Sequence, residues 1–217
     1  MDNRVNILYI HGMGGGSDSR IPKLLHSLLK SGGYPADVIC RTYDFNPETA
    51  SRQIDALVRE TEPALIIGES RGANHALCLE GGVPTILVSP ALGAPFWLGR
   101  LSPLALVPGI PALMQRIYRP REGDRQPLRF NYATISKYNA LYADVKKARH
   151  ADGQVFAFFG TEDRYRRSGT VNVRKWKKSF GEGSFVLYEG SHFMEDGLIR
   201  SLLLPKIIEV LGIQART

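Results

Sequence analysis

A serine hydroxyl attacks a carbonyl only when a neutral imidazole takes its proton, and that imidazole needs a carboxylate to fix its tautomer. The sequence offers one of each behind short apolar runs: Ser70 after residues 64–67, Asp163 after 155–159 and His192 after 185–188. Ser70 stands in Gly68-Glu69-Ser70-Arg71-Gly72, the G-x-S-x-G pattern of a serine on a sharp strand-to-helix turn. Such a turn strains the serine backbone and brings strand and helix close together, so glycine is wanted on both sides. The helix N-terminus behind it favours developing negative charge. An ordinary glycine-lined turn with Ser70 as a helix N-cap is the plainer reading of the same five residues.

Placing these groups falls to alternating strands and helices. Residues 5–10, 38–43, 64–67, 85–88, 155–159 and 185–188 read as buried strands. Ile21, Leu24, Leu25, Leu28 and Leu29 recur at helical spacing until Gly32-Gly33. Residues 47–61 form a second helix, with Asn46 as cap and Pro47 at its first position. Further helices are expected over 71–80, 135–149 (capped near Thr134 or Ser136), 171–180 and 198–211, the last bent or started late by Pro205. Between them, 94–127 reads as an irregular insertion, apolar first and basic later. Strands alternating with helices predict an α/β fold with a parallel sheet covered on both faces.

Sites in such sheets form outside the carboxyl ends of the strands. There the sequence places His11-Gly12-Met13, Asp44, Ser70, Gly160-Thr161-Glu162-Asp163 and Glu189-Gly190-Ser191-His192, in chain order. Serine, acid and histidine follow one another along the reactive edge. Glu162 or Asp44 could replace Asp163 as the acid. His11 is expected to shape the glycine-rich loop rather than do chemistry, and His75 to be a packed or capping residue. His26 and His150 read as ordinary helix-surface positions.

Composition excludes several other classes. At 217 residues and 43% hydrophobic content, 1–217 reads as one domain. Met1-Asp2-Asn3-Arg4 leads into a strand without resembling a signal peptide, so a cytoplasmic location is expected. The longest apolar region, 96–114, is broken by Arg100, Pro103, Pro108 and Pro111, so no transmembrane segment is expected. Cys40 and Cys78 read as small buried hydrophobes, not a disulfide. No histidines or cysteines have metal-ligand spacing, so no metal is expected. Gly12-Met13-Gly14 starts like a dinucleotide fingerprint with Asp44 as a ribose-binding acid, but the run is G-x-G-x-x-S and no cofactor is expected. The formal charge of +7 gathers at Arg164, Arg166, Arg167, Arg174, Lys175, Lys177 and Lys178, with Tyr165 and Trp176 interleaved. Such a patch could bind single-stranded nucleic acid, but a charge run without a motif reads as a solvated helix face, and no nucleic-acid partner is expected.

Leu8-Tyr9-Ile10-His11-Gly12, Gly68-Glu69-Ser70-Arg71-Gly72, Phe159-Gly160-Thr161-Glu162-Asp163 and Glu189-Gly190-Ser191-His192-Phe193 together resemble the α/β-hydrolase superfamily. More narrowly, the chain is similar to the small YqiA-like esterases over nearly its whole length, least so across 94–127. The resemblance implies a three-layer fold with a reduced six-stranded parallel sheet of order 2-1-3-4-5-6 and a cap at 94–127 lying over Ser70. It implies Ser70 as nucleophile, His192 as general base and acid, Asp163 as orienting carboxylate, and the backbone N–H groups of Met13 and Arg71 as oxyanion donors. The activity implied is cleavage of a small-molecule ester or thioester through an acyl-enzyme. An amidase, a carbonyl-adduct lyase or a catalytically silent binding module are the alternatives on the same fold. The apolar residues of the insertion, Phe96, Trp97 and Met114 among them, are expected either to line a pocket for a small to medium acyl group or to complete the core.

Overall fold

Neighbouring residues on a buried parallel strand point to opposite faces, so each strand must satisfy two cores at once. The strands of this chain do so. The computed structural model describes residues 4–120, 122–148, 150 and 154–215. Its strands are β1 (Val5–Ile10), β2 (Ala36–Cys40), β3 (Leu65–Glu69), β4 (Thr85–Val88), β5 (Val155–Gly160) and β6 (Phe185–Tyr188). They form one sheet in the expected order β2-β1-β3-β4-β5-β6, with every neighbouring pair parallel. Ile7, Tyr9, Leu65, Ile67, Ile86 and Val88 face one core with α1 (Arg20–Ser31) and the C-terminal helical segment. Leu8, Ile10, Ile66, Leu87, Ala157 and Phe159 face the other, with α2 (Pro47–Thr61) and α3 (Gly72–Cys78).

Several boundaries move for identifiable reasons. β2 ends at Cys40 rather than 43, because Thr42 and Tyr43 leave the ladder to brace the glycine-rich loop. The early part of the insertion folds into short pieces, α4 (Ala94–Arg100), a 3-10 turn (Ser102–Leu106) and α5 (Ile110–Ile117), while its described residues from 118 to 127 form no helix or strand. Proline lies in the first turn of each piece, where its missing N–H is harmless, so the same prolines that forbid one long helix start three short ones. The helix expected over 135–149 divides into α6 (Tyr132–Ile135) and α7 (Tyr138–Lys147). Its cap is Asn131, whose side chain accepts from Thr134 N at 2.9 Å, not Thr134 or Ser136. Arg149, the expected last residue, lies outside the described residues. The helix expected from 171 starts later, as α8 (Val173–Phe180), capped by Asn172.

The closing helix runs as α9 (Asp196–Leu198), a π turn (Ile199–Leu203) and α10 (Leu204–Leu211). Pro205 supplies no N–H to the preceding turn, and the wider π turn absorbs the defect instead of a break. Cys40 and Cys78 are free thiols; Cys40 is buried, as expected, and Cys78 is half-buried rather than buried. No helix among the described residues is long and apolar enough to cross a membrane.

The tightest approach in the fold lies between β3, α3 and the end of β1. A Cβ on Gly68 would fall 2.9 Å from Ala73 Cα, and one on Gly72 would collide with the carbonyl oxygens of Ile10 and His11. Backbone cannot give way as a side chain does. Gly72→Ala should therefore destabilise by about 3 kcal/mol or more, read as a lower urea midpoint, while Gly183→Ala, with open space around it, should leave that midpoint in place.

Candidate active site

Ser70 occupies the turn between β3 and α3 with φ +50°, a left-handed conformation that a serine holds only when its surroundings impose it. Two bonds impose it here. Ser70 N donates to Val88 O at 2.9 Å, and Ser70 O accepts from Ala91 N at 3.0 Å. Asn74, buried on α3, ties the turn further by donating to Arg71 O (2.9 Å) and Ala91 O (3.2 Å).

The loops after β5 and β6 then bring in the other two groups. Ser70 Oγ lies 2.7 Å from His192 Nε2, and His192 Nδ1 lies 2.6 Å from Asp163 Oδ2. The second oxygen of Asp163 accepts Tyr165 N at 2.8 Å, so the carboxylate is pinned at both ends, and its side chain is fully shielded from solvent. With Nδ1 donating to Asp163, Nε2 presents its lone pair to the serine hydroxyl. Glu162 is exposed and donates its backbone N–H to Gly190 O, while Asp44 accepts from Asn46 N at 2.7 Å at the start of α2. Only Asp163 of the three acids is hydrogen-bonded to His192 among the described residues.

The His192 ring is held by neighbours with no part in the site expected from the sequence. The Tyr165 ring meets it edge-on at 4.7 Å, and the Phe193 ring does so at 5.3 Å. Tyr188, at the end of β6, donates its hydroxyl to Ser191 O and pairs with Ser89 Oγ, both at 3.0 Å, fixing the loop just before His192.

On the other side of Ser70 runs the glycine-rich loop. A Cβ on Gly12 would lie 3.2 Å from Ser70 Cβ and 3.8 Å from its Oγ, so the loop and the Ser70 turn are in direct contact. The N–H groups of Met13 and Arg71 donate to no protein acceptor among the described residues. His11 is buried and stacked on Tyr43 at 4.1 Å, with its Nδ1 on Gly12 O at 2.8 Å, the loop-shaping position expected of it.

Gln126 organises this side, and no sequence pattern pointed to it. It is buried at the end of the insertion. Its Oε1 accepts from Arg71 Nη2 (2.6 Å) and Gly14 N (3.3 Å), and its Nε2 donates to Tyr43 O (3.1 Å) and Asp44 O (3.0 Å). Its backbone N–H adds a bond to Gly15 O at 2.7 Å. One amide thus ties the glycine-rich loop to the residue after Ser70. The Arg71 guanidinium is buried with it, between the rings of Phe45 and Tyr138, and burial lowers its pKa.

Of the proposed pocket residues, Phe96 packs on Trp97 and Tyr142, Trp97 donates its indole N–H to Ser168 O at 3.2 Å, and Met114 packs against the small core of Phe45, Phe130 and Tyr138. Two clefts of about 650 and 520 Å³, one beside His75 and Cys78 and one beside Tyr142 and Trp176, are lined by none of Ser70, Asp163 and His192. The aromatics of the basic segment face inward: Trp176 is buried against Phe159 and Phe180, and Tyr165 lies on His192. They are not the exposed stacking platform that single-stranded nucleic acid requires. Among the described residues no cluster of side chains could hold a metal ion.

No protein-family model matches the chain, and no curated protein matches it. Solved structures do. Est1E from Butyrivibrio proteoclasticus superposes with a TM-score of 0.64 at 14% identity, covering 98% of this chain and 90% of that one. The monoacylglycerol lipase of Paleococcus ferrophilus superposes at 0.58 and 17% identity, covering 95% and 94%. E-2-(acetamidomethylene)succinate hydrolase superposes at 0.56 and 14% identity, covering 96% and 91%. Sheet order and these likenesses make this the α/β-hydrolase fold.

Two tests follow from the buried polar groups. Burial lowers His75 to about 3 and His11 to about 4, so both are neutral in the fold. In the unfolded chain they take up protons below about 6.5. Stability should be complete above that pH and fall as pH drops toward 4, each group adding a slope of about 1.4 kcal/mol per pH unit. Urea unfolding at pH 7, 5.5 and 4.5 checks this, and His75→Leu should remove about half of the slope. Second, Gln126→Leu keeps the volume and removes four bonds. It should lower kcat by roughly 10–100-fold with KM within threefold, because the loop beside Ser70 loses its brace. An unchanged kcat in folded Gln126→Leu would assign Gln126 to stability alone.

Proposed function

We propose that this protein is a serine hydrolase that cleaves carboxylic esters or thioesters through an acyl-enzyme. The observation that supports this best is the unbroken chain from Ser70 Oγ to His192 Nε2 (2.7 Å) and from His192 Nδ1 to Asp163 Oδ2 (2.6 Å). His192 Nε2 takes the Ser70 proton as Oγ bonds to the substrate carbonyl carbon, and the resulting imidazolium lies against the Asp163 carboxylate. The carbonyl oxygen becomes an oxyanion, which the free N–H groups of Met13 and Arg71 receive. His192 then gives its proton to the leaving oxygen or sulfur as the bond to the acyl carbon breaks. In the second half, His192 takes a proton from water, the hydroxide attacks the acyl carbon, and Ser70 departs with the proton returned. No metal or cofactor enters this sequence.

The segment 94–127 acts as the cap, with Phe96, Trp97 and Met114 forming the wall against a small to medium apolar acyl group. Each added methylene contributes about 0.8 kcal/mol until the space is full. Esterases and lipases among the similar folds agree with ester chemistry in general.

A p-nitrophenyl ester series from acetate to dodecanoate, run beside a fluorophosphonate probe, tests both levels. Ser70→Ala should lose labelling and at least about 10³-fold in kcat while keeping its unfolding midpoint. Retained turnover in pure Ser70→Ala would remove the nucleophile assignment. Trp97→Ala or Met114→Ala should move the best chain length upward; an unmoved optimum places the acyl wall elsewhere.

A further inference from the structure

Two features remain without a role: the exposed apolar residues of 94–120 outside the wall of Phe96, Trp97 and Met114, and the basic excess. Helix α5 has no buried residue. Leu101, Leu104, Leu106, Val107, Leu113 and Ile117 all present large apolar surface to solvent, Leu106 and Ile117 at 66% and 61% of their full exposure. A water-soluble protein rarely leaves so much apolar area in one short segment unless something covers it. The same stretch is cationic. From Gly81 to Arg121 there is no aspartate or glutamate, and Arg100, Arg116 and Arg119 are exposed between the apolar residues.

The start of the basic segment adjoins this surface. Trp97 of α4 donates to Ser168 O at 3.2 Å, Gly93 N to Thr170 O at 2.8 Å, and Tyr118 at the end of α5 lies within electrostatic reach of Arg164. Arg164, Arg166 and Arg167 are exposed there, and Arg166 spends its bonds on the backbone carbonyls of Gly160 and Thr161. Among the described residues none of these six arginines forms an ion pair with a carboxylate, and the exposed acids next to them in the chain are Glu122, Asp124 and Glu162.

We propose that this face docks the protein on an anionic lipid bilayer, with the apolar residues of the cap in the headgroup boundary and the arginines on lipid phosphates. Each alternative occupant meets one half of the surface and is opposed by the other. A nucleic acid would satisfy the arginines and leave six large apolar side chains in water. A second copy docked face to face would cover the apolar residues and set arginine against arginine, because a two-fold interface repeats the same patch on both sides. An anionic bilayer satisfies both, since long cationic side chains snorkel to headgroups while apolar neighbours enter the acyl boundary. The face also borders the site: Tyr165, next to Arg164, lies on the His192 ring.

Sedimentation with large unilamellar vesicles tests this without reference to turnover. The full chain should bind phosphatidylcholine vesicles containing 30% phosphatidylglycerol at least tenfold more tightly than pure phosphatidylcholine, and 0.5 M NaCl should weaken that binding. Leu106→Asp/Ile117→Asp and, separately, Arg116→Gln/Arg164→Gln/Arg167→Gln should each reduce it at least tenfold. In the first variant the urea unfolding midpoint should stay at that of the parent, which shows that the fold survives. Absence of vesicle binding, or equal binding by the parent and both variants, overturns the proposal. So does a stable dimer that Leu106→Asp/Ile117→Asp dissociates, or binding to a single-stranded oligonucleotide in place of vesicles. A vesicle result of either kind stands apart from the hydrolase reading, because an inactive Ser70→Ala protein should bind the same vesicles.

Discussion

Everything at the carboxyl edge depends on how closely β3 and α3 approach around Ser70. The serine backbone is held at φ +50° between two glycines, one whose Cβ would press on Ala73 and one whose Cβ would strike the carbonyls ending β1. Such a conformation costs on the order of 1–3 kcal/mol. It persists because the turn is bonded to β4 at Val88 and to Ala91, so relaxing it would break hydrogen bonds on a neighbouring strand. The strain and the sheet are therefore one structure. The hydroxyl stands clear of the helix only because the sheet does not let the turn relax.

A second constraint follows from the first. Arg71, forced by the turn into the interior, must bury a guanidinium, and a buried charge is costly unless hydrogen-bonded. The fold meets it with the neutral side chain of Gln126, the Phe45 carbonyl and two aromatic faces rather than with a carboxylate. The choice has consequences for its neighbours, since this cation adds to burial in keeping His11 and His75 neutral. A neutral His11 can stack on Tyr43 and hold the loop beside Ser70 without bringing a positive charge into the site.

The sequence made the periodic and punctuated parts of this molecule legible. α2, β4 and β6 lie where their apolar spacing and flanking residues placed them, and the sheet order was implied by four motifs that each follow a strand. Ser70, Asp163 and His192 were readable because strand ends converge in any such sheet. Gln126 was not, because its partners Arg71 and Gly14 are 55 and 112 positions away and follow no period. Tyr43 read as strand because it is apolar and follows a strand, although a hydroxyl bonded to His11 O takes it out of the ladder. The cap at Asn131 and the π turn before Pro205 were hidden for a similar reason. Each is a local hydrogen bond made or lost inside a stretch whose helical spacing is otherwise continuous.

The insertion joins these two levels. Its early part, residues 94–120, has few buried side chains and much apolar surface in water, the properties of a segment with low local stability. Its end is the reverse. Gln126 is fully buried and bonded through side chain and backbone to Gly14, Gly15, Tyr43, Asp44 and Arg71, and Thr42 holds Asp124 just before it. Motion in the early part must therefore pass through a rigid anchor before it reaches the loop beside Ser70. The arrangement separates what the segment meets on the outside from what it braces within. The apolar pieces can repack against a surface or a substrate while the loop and the strained serine keep their spacing.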